Sequence, residues 1–473
     1  MRPPGGGGKL LSLMAKRPGC AARMAASDET YLRLTRIFTR GAPDGRTMRS
    51  LRTDPSARPA FDRANGWEGW PQRRRTYYPQ QGGIVMSSSI EIRKSVALGI
   101  LAGTLGLGAA VSAEPPPVIK TFEAPGAGNT PGTQQGTVAN DINEFGVIAG
   151  LIRDENSARH GFLRYPDGKY TLFDHPDAGT NGATGQGTRV SSLNALGAVA
   201  GSVRDSTNFD IPFVRDPEGH FYSIGFPNFG GGDGQGINLW GAMVGEFLKL
   251  NENQSVMFHF HGFIRNPNGS LTFFDPPGSQ ETDIPAPAAI NDFGAVTGDY
   301  WTCNADLSSC TVHGFVREAN GKYVTFDAPG ASPDGIDGGG TYPQGINNLG
   351  EVSGYYGDAN FVYHGFVRSA NGRITSFDVP TTCTQTSSPP ADCAYNGTFP
   401  GGVNVLGRVT GTYYGEDGNP HGFWRDADGS VKKFDVPGAG YFTQPTAIND
   451  FGQITGLVYD PNLVVHGLLV YPQ

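Results

Sequence analysis

Short runs of apolar residues alternate with turn residues from about residue 118 to the end of the chain. Val, Ile, Phe and Tyr dominate these runs, and Gly, Asn, Asp and Pro separate them, with 70 Gly and 35 Pro in 473 residues. Apolar residues at every second position between such turn residues are typical of β-strands. The pattern therefore predicts an all-β protein.

The strand-like runs belong to a repeat. It reads Ile-Asn-x-x-Gly-x-Val-x-Gly, a variable loop, His-Gly-Phe-x-Arg, a Gly turn and Phe-Asp-x-Pro. Its asparagine recurs seven times, 44 to 57 residues apart, at Asn143, Asn194, Asn238, Asn291, Asn347, Asn404 and Asn449. Four strands per unit at this period are typical of propeller blades and not of helical solenoids. The sequence predicts an all-β, seven-bladed β-propeller with four antiparallel strands, A to D, in each blade.

The two ends of this region are predicted to share one blade. The last repeat stops at Tyr471-Pro472-Gln473 without a strand D, whereas Ile119 to Pro125 resembles strand D of the other repeats. An N-terminal strand that completes the last blade would remove two exposed sheet edges.

Histidines and acids face each other in the predicted register. A type I turn with a Gly bulge, as at Tyr165–Lys169, joins strands C and D and sets each repeat histidine opposite the acid of strand D. The predicted pairs are His160 with Asp174, His261 with Asp275, His313 with Asp327, His364 with Asp378, His421 with Asp435 and His466 with Glu123. The second repeat has Ile211 and Gly225 instead, so both partners are missing together. We interpret the pairs as structural, because each stays within its own blade.

A metal site at His259 and His261 beside Asp275 is the alternative that spacing leaves open. We favour no metal and no cofactor. Residues 114–473 contain no Gly-x-Ser-x-Gly, His-Glu-x-x-His, phosphate-loop, dinucleotide or EF-hand motif.

These repeats resemble the bacterial extracellular HAF-repeat family, whose pattern combines Gly-Ile-Asn-x-x-Gly-x-Val-x-Gly with His-Ala-Phe. The resemblance covers residues 118–473, and the triplet here is mostly His-Gly-Phe. It implies an extracellular propeller and supplies no catalytic residues. The Phe-Asp-x-Pro-Gly-Ala ending departs from the family pattern.

Charge and composition divide the chain into three parts. Residues 1–85 hold 16 basic and 6 acidic residues, and the rest holds 20 basic and 38 acidic ones. Residues 86–113 combine Arg93 and Lys94, an apolar run from Val96 to Ala110 and a small-residue exit, which is typical of a signal peptide; a membrane anchor is the alternative. We therefore predict a mis-assigned or disordered extension (1–85), a signal peptide (86–113) and an exported, periplasmic or extracellular propeller (114–473). Its acidic balance argues against nucleic acid as a partner.

Four of the five cysteines form two close pairs in predicted loops. They pair as Cys303 with Cys310 and as Cys383 with Cys393. Neither has zinc or redox spacing, and in an exported protein they predict two disulfides.

Two groups of residues are candidate ligand contacts. Aromatic residues follow strand B at Tyr300, Trp301, Tyr356, Tyr413 and Tyr414, where they would suit sugar stacking, although ordinary packing between blades is the favoured reading. Tyr342 and Gln344 belong to the second group, which would surround the channel mouth near the strand D to A connections.

Three functions remain open on these grounds. The first is a monomeric, non-catalytic binding module for a polysaccharide or a surface protein. The second is a propeller-type polysaccharide lyase or hydrolase, which needs paired carboxylates at the channel mouth. The third is a structural envelope or matrix protein.

Overall fold

The computed structural model describes residues 115–226, 228–250, 259–278, 284–304, 309–333, 335, 339–360, 362–380, 397–439 and 442–472. Within these ranges the chain forms twenty-eight strands and one short 3₁₀ helix, Gly182–Thr184. No helix in the described ranges has the length and apolar character needed to cross a membrane. The fold is all-β, as the alternation predicts.

The strands pair as repeated four-stranded antiparallel sheets, which we number as units 1 to 7 with strands A to D in order of pairing. Unit 1 contains β2 (Gly136–Ile142), β3 (Ile148–Arg153), β4 (Arg159–Arg164) and β5 (Tyr170–Phe173), and unit 2 contains β6 (Gly187–Leu193), β7 (Val199–Arg204), β8 (Asp210–Arg215) and β9 (Phe221–Ser223). Unit 3 contains β10 (Phe229–Ile237), β11 (Met243–Lys249), β12 (His259–Arg265) and β13 (Leu271–Phe274), and unit 4 contains β14 (Ile284–Ile290), β15 (Val296–Cys303), β16 (Cys310–Arg317) and β17 (Tyr323–Phe326). Unit 5 contains β18 (Gly340–Ile346), β19 (Val352–Gly357), β20 (Tyr363–Arg368) and β21 (Ile374–Phe377), and unit 6 contains β22 (Thr398–Val403), β23 (Val409–Tyr414), β24 (Pro420–Arg425) and β25 (Val431–Phe434). Unit 7 contains β26 (Phe442–Ile448), β27 (Ile454–Tyr459), β28 (Val465–Tyr471) and, as its fourth strand, β1 (Val118–Phe122).

Strand β1 pairs antiparallel with β28 although the two lie at opposite ends of the described chain. The register sets Val118 opposite Tyr471 and Phe122 opposite Gly467. The edge of β28 that a missing strand D would expose is therefore covered by backbone hydrogen bonding.

Units 7, 1 and 2 merge into one twelve-stranded sheet, because a single parallel bridge joins strand C of one unit to strand A of the next. One bridge pairs Gly136 with Val465, and the other pairs Gly187 with Arg159. Gly136 has φ +127°, and a Cβ there would collide with the backbone oxygen of Val465. Only glycine permits this backbone conformation and close approach.

The core lies between neighbouring units. The phenylalanine of the His-Gly-Phe triplet is fully buried in units 1 to 6, as Phe162, Phe213, Phe263, Phe315, Phe366 and Phe423, and Leu468 takes this place in unit 7. Each such side chain contributes about 1.5–3 kcal/mol of burial free energy. The preceding glycine lies opposite the strand D phenylalanine, as Gly161 opposite Phe173, which is the register predicted from the turn.

Arginines at the end of strand C link units 1 to 6 each to the unit before it. In six units the guanidinium lies over an aromatic ring of the preceding strand D, at 4.5–5.3 Å from the ring centre. The pairs are Arg164–Phe122, Arg215–Phe173, Arg265–Tyr222, Arg317–Phe274, Arg368–Phe326 and Arg425–Phe377. These cation–π contacts tie the outer parts of neighbouring sheets together.

An asparagine follows strand A in every unit and uses both ends of its amide. The side-chain oxygen accepts backbone N–H groups of its own turn, as Asn143 Oδ1 does from Phe145 and Val147 at 3.0 Å each. The side-chain nitrogen donates to the backbone oxygen of the asparagine in the next unit. These bonds are Asn143–Asn194 (3.1 Å), Asn194–Asn238 (2.9 Å), Asn238–Asn291 (3.1 Å), Asn291–Asn347 (3.0 Å), Asn347–Asn404 (2.9 Å), Asn404–Asn449 (3.1 Å) and Asn449–Asn143 (2.9 Å).

The seventh bond returns to the first residue, so the bonds form a closed cycle, which we call the asparagine cycle. Its members are only 1–6% exposed. A buried amide that satisfies two donors and one acceptor is costly to replace, because a lost partner leaves a buried polar group unpaired.

Asn291→Asp tests the cycle. The carboxylate retains the oxygen that accepts from Phe293 and Ala295, but it removes the N–H donor and sets a negative charge against the Asn347 carbonyl. We expect the free energy of unfolding in urea to fall by about 2–4 kcal/mol.

Asn371→Asp is the matched control. Asn371 accepts from Arg373 N–H in an exposed turn and takes no part in the cycle. We expect a change within about 0.5 kcal/mol. Equal effects of the two substitutions would refute a special role for the cycle.

Candidate functional site

The A to B turns and the C to D turns lie at the same end of the units, because strands in an antiparallel meander reverse direction at each turn. Arg408 in an A to B turn, for example, bonds through Nε to Asp426 in a C to D turn at 2.6 Å. We call this end the turn face.

Seven large apolar side chains stand exposed on the turn face, one in each unit. Each lies two residues after an asparagine of the cycle and is 63–78% exposed. They are Phe145, Leu196, Trp240, Phe293, Leu349, Leu406 and Phe451, which we call the apolar ring. Exposed apolar residues that form one set on one surface mark an interaction site more often than scattered ones do.

Local hydrogen bonds fix the backbone of the apolar ring. The N–H of each member donates to the Oδ1 of its own asparagine at 3.0–3.2 Å. Trp240 also donates its indole N–H to the backbone oxygen of Asp292 in the next unit at 3.0 Å. Turn positions of this kind usually hold polar residues, so folding alone does not explain their apolar character.

Polar residues immediately before the apolar ring link neighbouring turns. Glu144 Oε2 accepts from Asp450 N–H, and Asp292 Oδ1 accepts from Leu239 N–H, both at 2.8 Å. Asp450 Oδ1 accepts from Val405 N–H at 2.9 Å. These carboxylates therefore hold the turns in position as well as carrying charge.

The carboxylates interact across units. Burial, and then the charges of Asp450, Asp141 and Asp292, raise the pKa of Glu144 to about 7. Burial raises the pKa of Asp141 to about 6, although Leu193 N–H and Ser192 Oγ hydrogen-bond it. The charge of Asp292 in unit 4 thus contributes to the raised pKa of Glu144 in unit 1.

The histidines predicted to face acids lie beside them. The Nδ1-to-carboxylate distances are 3.0 Å for His160–Asp174, 2.9 Å for His261–Asp275, 2.8 Å for His313–Asp327, 2.9 Å for His364–Asp378 and 2.8 Å for His421–Asp435, and His466 contacts Glu123. In four units the other ring nitrogen faces an acid of the B to C loop, at 3.0–3.7 Å. These acids are Asp154, Asp358, Asp417 and Asp460.

Three of the aromatic residues predicted as ligand contacts lie under these histidines. The ring centres are 5.3 Å apart for Tyr300–His313, 5.0 Å for Tyr356–His364 and 5.2 Å for Tyr413–His421. Tyr356 and Tyr413 are buried. Each of these ring contacts joins strands B and C of one unit, so packing between blades stays a prediction for these positions.

The remaining predicted contacts lie mostly in an aromatic cluster between units 4 and 6. Tyr342 is buried and stacks on Tyr355 at 5.0 Å, and Trp301 packs in the same cluster. Tyr414 meets the cluster at Phe399, 5.7 Å away. Gln344 lies at a β-bulge of strand A and donates to the Pro343 oxygen at 3.1 Å.

Cysteine and metal chemistry is limited in the ranges that the structure describes. Cys303 and Cys310 form a disulfide between β15 and β16. Cys383 and Cys393 lie outside the described residues, as does the side chain of His259. No group of three or more His, Cys, Asp or Glu that could hold a metal ion occurs among the described residues.

The sequence reading missed both the asparagine cycle and the apolar ring. The Asn-x-x-Gly segment fits an ordinary type I turn, in which Asp or Ser would serve as well as Asn. Two signals were available in the sequence: the first residue is Asn in all seven repeats, and the third is always Phe, Leu or Trp.

No protein-family model and no curated protein matches the chain, so membership of the HAF-repeat family stays a prediction. Among solved structures, the chain is similar to the BP39L lectin from Burkholderia pseudomallei, with 12% identity over 70% of this chain and 94% of that chain and a TM-score of 0.40. It is also similar to the Dos1 propeller, with 8% identity, coverage of 72% and 93% and a TM-score of 0.36. The uncomplexed acylaminoacyl peptidase of Pyrococcus horikoshii gives 9% identity, coverage of 68% and 49% and a TM-score of 0.41, so the chain spans about half of that peptidase. The chain itself is an all-β protein of repeated four-stranded antiparallel sheets.

The histidine–acid pairs predict that stability falls as the pH rises above about 6.5. The hydrogen bond to Asp174 raises the pKa of His160, and Asp327 and Asp378 do the same for His313 and His364. A raised histidine pKa contributes stability below the unfolded value of about 6.5 and loses it as the pH passes the folded value. We therefore expect the Tm at pH 8.5 to lie below that at pH 5.5.

Other titratable groups also change the stability of the folded protein between these pH values, some in the same direction and one in the opposite direction. The raised pKa values of Glu144 and Asp141 change the stability in the same direction as the histidines do. Stability is lost as the pH rises through about 7 for Glu144 and about 6 for Asp141, because each buried carboxyl group then becomes charged. Burial lowers the pKa of His175, so this group makes the folded protein less stable as the pH falls and opposes the effect of the paired histidines. His364→Gln should reduce the fall in Tm, because it removes one of the histidines whose pKa is raised. A flat wild-type profile would contradict the interpretation.

Proposed function

We propose that residues 114–473 form an exported, seven-bladed β-propeller that acts as a non-catalytic binding module and binds a surface protein through the turn face. The apolar ring carries this proposal, because seven large apolar side chains occupy the same turn position and stand 63–78% exposed.

Two observations support a closed propeller of seven blades. The asparagine cycle links unit 7 back to unit 1 through Asn449 and Asn143. Pairing of β1 with β28 supplies the fourth strand of unit 7, so each unit corresponds to one blade.

A segment of the sequence and a disulfide in the structure support export. Residues 86–113 have the pattern of a signal peptide. The Cys303–Cys310 disulfide suits an oxidising compartment, in which such bonds persist. The acidic balance of the exported part disfavours nucleic acid.

A protein partner suits the apolar ring better than a polysaccharide does. Flat aromatic rings stack on sugars, but Leu196, Leu349 and Leu406 occupy three of the seven positions. Large apolar side chains are typical of the cores of protein interfaces, from which water is excluded.

An enzyme is the second candidate, favoured by the raised pKa of Glu144 beside Asp450 and Asp141. Carboxylates whose pKa values are pushed apart can divide acid and base roles in glycoside hydrolysis. Glu144 and Asp450 also accept backbone N–H groups, which gives them a sufficient structural reason to be present.

The binding proposal is tested with Trp240→Ser, Phe293→Ser and Phe451→Ser combined in one variant. Binding is measured on an array of purified surface proteins and cell-wall polysaccharides from the organism that makes the chain. We expect the variant to bind the wild-type ligand at least tenfold more weakly, since each lost apolar contact contributes about 1 kcal/mol or more.

The matched control replaces Val118, Leu172 and Phe273, which are exposed apolar residues outside the ring, by Ser. It should bind as the wild type does. Wild-type binding by the ring variant would refute the turn face as the binding surface. Release of sugar ends from an array polysaccharide, abolished by Glu144→Gln, would establish the enzyme instead.

A further inference from the structure

Acidic side chains lie beside the apolar ring. Glu144, Asp292 and Asp450 come one residue before ring members Phe145, Phe293 and Phe451, and Glu144 Oε2 accepts from the Asp450 N–H at 2.8 Å. The turn face therefore combines large apolar side chains with negative charge.

Resting on the proposed function, we infer that the partner presents a polypeptide segment in which a basic side chain stands among large apolar ones, with the basic group entering beside Glu144 and Asp450. Charge complementarity carries this inference. Arg408 of the neighbouring unit 6 pairs with Asp426 through Nε, and Glu144 and Asp450 accept backbone N–H groups, which leaves their carboxylates negatively charged.

The raised pKa of Glu144 also supports a basic partner. Its neighbours Asp450, Asp141 and Asp292 each raise its pKa through like charge. An entering guanidinium or ammonium would relieve this repulsion, and partial burial would strengthen the attraction relative to an exposed ion pair.

Other occupants fit the charges less well. A second copy of the chain docked face to face would set the same carboxylates against each other. An anionic polysaccharide or an anionic membrane surface would meet a chain with 20 basic and 38 acidic residues from Met86 onward.

The apolar ring is prepared for such a segment before it binds. The asparagines fix the backbone of every ring member, and the links Leu239–Asp292, Val405–Asp450 and Asp450–Glu144 join successive turns. A surface ordered in advance loses little conformational entropy on binding, so its contacts contribute more fully to affinity.

The probe is the peptide acetyl-Leu-Phe-Arg-Phe-Leu-amide, whose binding to the full chain is measured by calorimetry. Two comparison peptides replace Arg by Gln, or all four apolar residues by Ser. We expect the Arg peptide to bind at least tenfold more tightly than either one, and the advantage over the Gln peptide to shrink in 0.5 M salt, because screening weakens charge attraction.

Two protein variants locate the contact. Glu144→Gln with Asp450→Asn removes two charges but retains the oxygens that accept from Asp450 and Val405 N–H. It should bind the Arg peptide about tenfold more weakly. Asp167→Asn with Asp428→Asn removes two charges from exposed C to D turns of the same face and should bind as the wild type does.

The outcomes separate this inference from the binding proposal. Equal affinity for the Arg and Gln peptides, both lost in the Trp240, Phe293 and Phe451 variant, would overturn the basic partner and leave the apolar turn face standing. Unchanged binding in that ring variant would overturn the turn face as well. No binding of the Arg peptide at millimolar concentration would overturn the inference.

Discussion

The arrangement of the units depends on one hydrogen bond, repeated from turn to turn: an asparagine amide donates to the backbone oxygen of the next asparagine. The same amide accepts two N–H groups of its own turn, so it joins local structure to the placement of the neighbouring unit. Asp supplies the acceptor without the donor, and Ser is too short to reach both partners. Since the cycle returns from Asn449 to Asn143, each bond constrains all the others.

Much of the fold follows from the sequence because its causes are local. Turn residues set the C to D register, which places Gly161 opposite Phe173 and brings His160 beside Asp174. The contacts that sequence reasoning missed join different repeats. The acceptor of an asparagine amide lies 44 to 57 residues away in sequence for six of the seven bonds, so no turn rule reveals it.

The candidate site was harder to predict than the fold for a related reason. Side chains alternate between the two faces of a strand, so the sequence predicts which of them face inward. This alternation accounts for the packing of Tyr356 and Tyr413 against histidines of the neighbouring strand. Alternation says nothing about the third position of a turn. Phe293 and its equivalents occupy an unspecified position of the Asn-x-x-Gly segment, and only the structure shows that all seven are exposed to solvent.

The turn face uses the same groups for stability and for surface chemistry. Glu144 and Asp450 accept backbone N–H groups through one oxygen, which leaves the charge of the carboxylate free to act on a partner. A cation arriving there would reduce the repulsion that raises the pKa of Glu144 and would leave its hydrogen bond intact. Binding would then reinforce the links between the turns, so the partner and the asparagine cycle would stabilise the same arrangement of units.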